Sequence, residues 1–265
     1  MGGLSPQQAL SLYDSDNPIR SANAYRASNY SAYVDGAVVR LLDWREPSAQ
    51  AKMAHRIFRS FVLHDGFSCV GAKGAVASGG HRFGFYEGFP TREGTEGLAR
   101  DLAAFVAELP HMTARYRTFT ALFDDTSFDE FSFEARLWKQ LAALHEVDRR
   151  YFDWDPSVSS DPSDPSFAFS VAGHGFFVIG MHPSASRVSR RLPFPALIFN
   201  SQAQFKDLKA SGHFTRVQQI VRERELALQG SLNPNLADYG VASEARQYSG
   251  RAVDDDWRCP FRRNS

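Results

Sequence analysis

The chain has 265 residues, 43% of them apolar and 23% charged, and its 30 basic side chains balance 30 acidic ones. It is long enough to bury a sizeable core and ordinary in composition, which excludes disorder, collagen and coiled coil as descriptions of the whole. A formal net charge of zero gives no global field to draw in nucleic acid or anionic lipid, and two cysteines, Cys69 and Cys259, are too few for a disulfide framework or a Cys-rich zinc site.

The opening residues, MGGLSPQQAL, carry neither the basic nor the apolar stretch of a secretory signal. Pro6 stands where myristoylation needs Ser or Thr. No apolar run approaches the length of a membrane span. The expectation is a soluble, cytoplasmic protein with reduced thiols and no nucleic-acid or membrane partner.

Met53, Ile57 and Phe61 recur four residues apart and predict a helix over 47–61. The apolar run 66–72 reads as a short buried strand, and after the turn signal Gly79-Gly80 the stretch 81–86 reads as its neighbour. Thr95 reads as the cap of a helix to about Leu109, with Leu98, Leu102, Phe105 and Val106 as its apolar stripe and Pro110 closing it. A strand is predicted at 118–123. A long helix follows, from Ser127 or Phe128 to about Arg149, with Phe133, Leu137, Leu141 and Leu144 on one face.

The Pro/Ser/Asp-rich stretch 153–165 reads as a surface loop. Residues 167–171 and 175–180 read as a hairpin around Ala172-Gly173-His174. A strand at 195–199 and helices at 201–211 and 215–229 complete the regular structure. The polar tail 230–265 reads as an irregular strap. This order predicts one α+β (or α/β) domain over 1–265, with a mixed sheet of about five or six strands flanked by helices and with 1–45 peripheral.

Several chemistries are absent from the sequence. It contains no phosphate-binding P-loop, no G-x-G-x-x-G, no H-E-x-x-H and no G-x-S-x-G. Redox chemistry would need electrons or oxidant from outside.

Three segments stand out. In the run 180–191, His182 ends an apolar strand and Pro183 stops it, and Arg187, Arg190 and Arg191 follow. This is either an imidazole at a pocket mouth beside an anion-binding cluster, or a strand end with a solvated basic loop. The tail contributes Glu244, Gln247, Tyr248, Ser249 and Trp257-Arg258-Cys259-Pro260-Phe261. Cys259 there is either a thiolate aimed at a soft metal or part of a strap that fills the core. Cys69 reads first as a small buried hydrophobe and second as a ligand.

Phe67-Ser68-Cys69, Met181-His182-Pro183 with its Ser/Arg run, Phe199-Asn200, Gln204-Phe205, the stretch 228–234, the stretch 243–251 and Trp257-x-Cys-Pro-Phe261 together resemble the YqcI/YcgG family over roughly 60–262. The family's F-P-C appears here as Phe67-Ser68-Cys69. Members include heme proteins of antibiotic (D-cycloserine-type) biosynthesis that hydroxylate a terminal guanidine nitrogen of L-arginine to Nω-hydroxy-L-arginine. The resemblance therefore implies a heme b-dependent N-hydroxylase, a monooxygenase or peroxygenase, using dioxygen with an external reductant or hydrogen peroxide. A non-catalytic heme-binding sensor or carrier is the alternative.

Heme needs an apolar slot, an axial ligand and cations for its carboxylates. On this resemblance the metal ligand is His182 first and Cys259 second, with Cys69 third. Arg187, Arg190 and Arg191 hold the carboxylates, Glu244 meets the guanidinium, and Gln247, Tyr248 and Ser249 offer hydrogen bonds beside the reacting oxygen.

Overall fold

A computed structural model describes residues 18–125, 129–210, 212–235 and 242–263. In chain order its elements are α1 (Ala22–Ala27), β1 (Ser31–Val34), β2 (Ala37–Arg40), α2 (Ala49–Leu63), α3 (Val70–Ala77), β3 (His81–Glu87) and α4 (Arg92–Glu108). Then come β4 (Thr118–Asp124), α5 (Glu130–Asp148), β5 (Phe169–Val171), β6 (His174–Met181), β7 (Ala196–Ser201), α6 (Gln202–Ala210) and α7 (Phe214–Gln229). The strands form one mixed sheet in the order β2-β1-β3-β4-β7-β6-β5, in which β3 and β4 are parallel and the other pairs antiparallel. This is a single α+β domain. No described helix is long and apolar enough to cross a membrane.

Two of the seven strands come from the hairpin β1–β2, in the stretch read as peripheral. The hairpin joins the sheet through a single register pair, Ser31 with Phe83, so its alternation is too short to announce itself in sequence. Behind it, Asp101 of α4 accepts from Ser28 Oγ at 2.5 Å, Asn29 N at 2.7 Å and Tyr86 Oη at 2.6 Å. These bonds tie the early chain to the main body.

Two predicted elements differ from the sequence reading. The run 66–72 is not a strand: Cys69 caps α3, its sulfur accepting from Ala72 N at 3.4 Å. Short apolar runs do not separate strand from helix by periodicity. The cap of α4 is Thr91, whose Oγ1 accepts from Gly94 N, and Thr95 lies one turn inside. The helix start expected at Ser127 or Phe128 lies outside the described residues, and α5 begins after its cap Asp129.

Strand alternation divides the core. One face carries Phe119, Phe123, Phe176, Val178 and Phe199 against Leu102 and Phe105 of α4 and Phe133, Leu137 and Leu141 of α5. The other carries Phe83, Leu122, Met181 and Ile198 against Ala54, Phe58 and Val62 of α2. On the first face contact is tight enough to require glycine. A Cβ at Gly180 would come within 2.6 Å of Phe133 Cε1 and 2.9 Å of Leu137 Cδ1. The β5–β6 turn is Ala172-Gly173, both at positive φ, the backbone that a two-residue hairpin demands.

Candidate active site

On the second face the helices do not close over β6 and β7. They leave a half-open cavity of about 310 Å³, within the range of small-molecule sites. Phe177, Ile179 and Met181, the alternate residues of β6, form its floor with Asn200 of β7. The small residues Gly71, Ala72 and Ala75 of α3 line one wall, and Val217, Val221 and Glu225 of α7, four residues apart, line another. No residue of α7 is fully buried. Its inward stripe faces the hollow rather than packed side chains.

The polar groups fall into two sets. In the first, Arg187 Nη2 pairs with Glu225 Oε2 at 2.7 Å and Nη1 reaches Ser231 Oγ at 3.1 Å, while the Ser68 hydroxyl also donates to Glu225. Burial pushes the Glu225 carboxyl up, but hydrogen bonds from Arg187, Ser68 and Ser189 outweigh it and hold the group below its ordinary value. Arg190 donates through Nη1 to the carbonyls of Gly180 (3.3 Å) and Tyr248 (3.2 Å). Burial pulls its guanidinium down to about 10, against the opposing pull of Glu225. Cys69 lies in the same neighbourhood. Burial raises its thiol, opposed by the N–H groups of Ala72 and Gly71 and by the charge of Arg190.

The second set is Glu244 with Gln202, Gln204 and Gln247. Glu244 Oε2 accepts from Gln202 Nε2 at 2.6 Å. Burial pushes its carboxyl up to about 7, with Gln202 and Lys209 pulling the other way. Gln204 Oε1 accepts from Arg117 N at 2.9 Å.

Of the residues singled out from sequence, the cavity gathers Arg187, Arg190, Glu244, Gln247 and Cys69. It does not gather His182, Arg191, Tyr248, Ser249 or Cys259. Next to Met181 on β6, His182 turns to the opposite face. There its ring stacks on Phe133 at 4.2 Å, and Nδ1 finds no hydrogen-bond partner among the described residues. Burial pulls this imidazole down to about 4. Arg191 bonds the carbonyls of Ala185 and Ser186.

Tyr248 Oη donates to Phe176 O at 3.1 Å and accepts from Phe169 N at 3.2 Å, and its ring stacks on Trp138. Ser249 Oγ donates to Glu134 at 3.4 Å. Cys259 packs against the first-face core, where burial pushes its thiol up to about 12. The tail residues 248–261 thus strap the packed face, while 244 and 247 reach the cavity.

Sequence reasoning missed Glu225, Asn200 and Gln204 as site residues. Asn200 and Gln204 lie in stretches that carry the family resemblance, a signal that was present. Glu225 lies mid-helix among alternating charges, and nothing local marks it.

These groups are of the kinds that heme requires. The floor and walls are broadly apolar, one thiol sits at a helix N-terminus, and two arginines stand near it. Among the described residues no group of three or more His, Cys, Asp and Glu is placed to hold a metal ion. A porphyrin supplies four nitrogens of its own and asks the protein for as little as one ligand.

The model of the YqcI/YcgG family matches residues 58–262. No curated protein and no solved structure matches the chain.

Proposed function

The chain belongs to the YqcI/YcgG family, and on that premise we propose that it is a heme b-dependent N-hydroxylase acting on a terminal guanidine nitrogen of L-arginine. The observation that supports this reading is a thiol and two arginines on the wall of an apolar cavity. When bound, heme supplies oxidant activation for the insertion of one oxygen atom into an N–H bond. With hydrogen peroxide the second oxygen leaves as water; with dioxygen, two electrons and two protons must also be delivered.

The residues of this chain divide the remaining work. Cys69 would ligate the metal in place of His182 and Cys259, which lie on the packed face. Arg190, whose guanidinium meets only carbonyl oxygens among the described residues, is the better partner for a heme carboxylate. Arg187 is already neutralised by Glu225. Phe177, Ile179 and Met181 keep water from the floor of the site. Burial holds the Cys69 thiol above its ordinary value, and the charge of Arg190 works against that shift.

The test is an absorption spectrum of the heme-supplemented protein, followed by mass analysis of product from L-arginine with peroxide or with reductant and air. A Soret band of thiolate type and a product heavier by one oxygen are expected. Cys69→Ala should abolish that spectrum, while His182→Ala and Cys259→Ala keep it. An unchanged spectrum in Cys69→Ala would overturn the ligand assignment, and absence of a Soret band in the parent protein would overturn the function.

A further inference from the structure

The cavity has two chemically different ends. Arg190 is anchored at Gly180 of β6, and Gln202, which holds Glu244, directly follows Ser201, the register partner of Phe176 on the same strand. Gly180 and Phe176 are four residues apart, about 13 Å along a strand. The electrostatics follow this separation. Arg190 responds to Glu225, Arg187 and Cys69, whereas Glu244 responds to Gln202 and Lys209 and to none of that first group.

Glu244 is therefore a carboxyl group on the cavity wall, away from the cluster in which Arg187 already neutralises Glu225. Its Oε2 is engaged by Gln202, and its Oε1 accepts from no described residue. Lys209 is the described cation whose charge acts on it. Removing a carboxylate from water is costly unless a cation joins it. A ligand carrying a planar cation would add to the pull of Lys209 a charge in direct contact and the donors that Oε1 lacks among the described residues. The carboxamides of Gln204 and Gln247, on the same cavity, suit the edges of such a group.

We propose that Glu244 is the specificity-determining residue of this cavity: it selects ligands that end in a guanidinium or similar planar cation over neutral isosteres. The choice of probes rests on the functional reading above, but the selection itself needs no turnover. The experiment is calorimetric titration of the purified chain, with its heme content measured by absorption, against L-arginine and L-citrulline, whose urea group matches guanidinium in shape without its charge. Wild-type protein should prefer L-arginine by about tenfold or more, the worth of one charge-assisted hydrogen-bonded pair.

Glu244→Gln should lose that preference while binding L-citrulline within about twofold of wild type. Glu244→Asp, which keeps the charge, should retain part of the preference, and thermal unfolding of each variant excludes misfolding as the cause. Equal binding of the two amino acids by wild type, no binding of L-arginine, or a preserved preference in Glu244→Gln would each overturn the proposal. If heme is absent but the Glu244-dependent preference is present, the proposal stands and the oxygenase reading falls. If heme is held through Cys69 but no preference appears, the reverse holds.

Discussion

Strand β6 lies one strand in from the edge of the sheet and serves two regions with different neighbours. Phe176, Val178 and Gly180 point into a face where Phe105, Phe133, Leu137 and Tyr248 fill the available space. Phe177, Ile179 and Met181 point into a hollow. Both faces are apolar, so hydrophobicity does not distinguish core from site here. The difference lies in what covers each face. Long helices α4 and α5 press buried stripes onto the first, whereas on the second α2 packs only part of the sheet and the rest is roofed by α3, which is short and rich in Gly and Ala, and α7, with no fully buried residue. A face left unfilled costs dispersion energy, and the ligand proposed above would recover it.

The sharpest way to break this contrast is to truncate neighbouring phenylalanines. Phe176→Ala should cost about 3–5 kcal/mol, the toll of a large side chain removed from a closed core. Phe177→Ala should cost about 1–2 kcal/mol, because part of that ring already faces the cavity. Urea unfolding measures both. Equal losses would mean that the second face is as tightly packed as the first.

A smaller effect sharpens the contrast through pH. His182 on the packed face is held neutral to about pH 4, while an unfolded histidine protonates near 6.5. Its folded value is depressed, so the unfolded state takes up the proton first as pH falls. The contribution of His182 to stability is therefore complete above about pH 6.5 and is lost as pH drops towards 4. His182→Phe should flatten the acid slope by about 2 kcal/mol between those limits. Some slope will remain, because His55 and His81 on the other face are also pulled down by burial. Parallel slopes in urea melts at pH 7 and pH 4.5 would remove His182 from the packed core.

The smallest expected change is at the roof. Val221→Ala on α7 should cost less than about 1 kcal/mol in the same melts, the range of residues that touch little. A loss above about 2 kcal/mol would show that α7 is a core helix rather than a cover.

Much of the frame was legible because it rests on local patterns. The stripe Phe133, Leu137, Leu141 and Leu144 places α5, and the alternation from Phe176 to Met181 places β6. The resemblance motifs located the family correctly. The site was legible only in part. Arg187, Arg190, Glu244 and Gln247 were marked by their motifs. His182 and Cys259 drew attention as the usual ligands, and sequence alone does not tell which side of a strand or strap a residue faces once its register is unknown. A slip of one residue moves a side chain to the other face, and that single step separates Met181 in the cavity from His182 in the core.

By itself the sequence determined the class of fold, the run of helices and strands after residue 47 apart from α3, the family, and a short set of chemically able side chains. These follow from periodicity, capping and composition, which act over a few residues. Tertiary structure decided that β1 and β2 extend the sheet, that Cys69 caps a helix beside Arg190, and that Glu225 of α7 answers Arg187. It also decided that Tyr248 and Ser249 anchor the strap while Glu244 opens onto the hollow. Each of those outcomes depends on contacts between residues far apart in the chain, formed only when the sheet closes and its two faces acquire different neighbours.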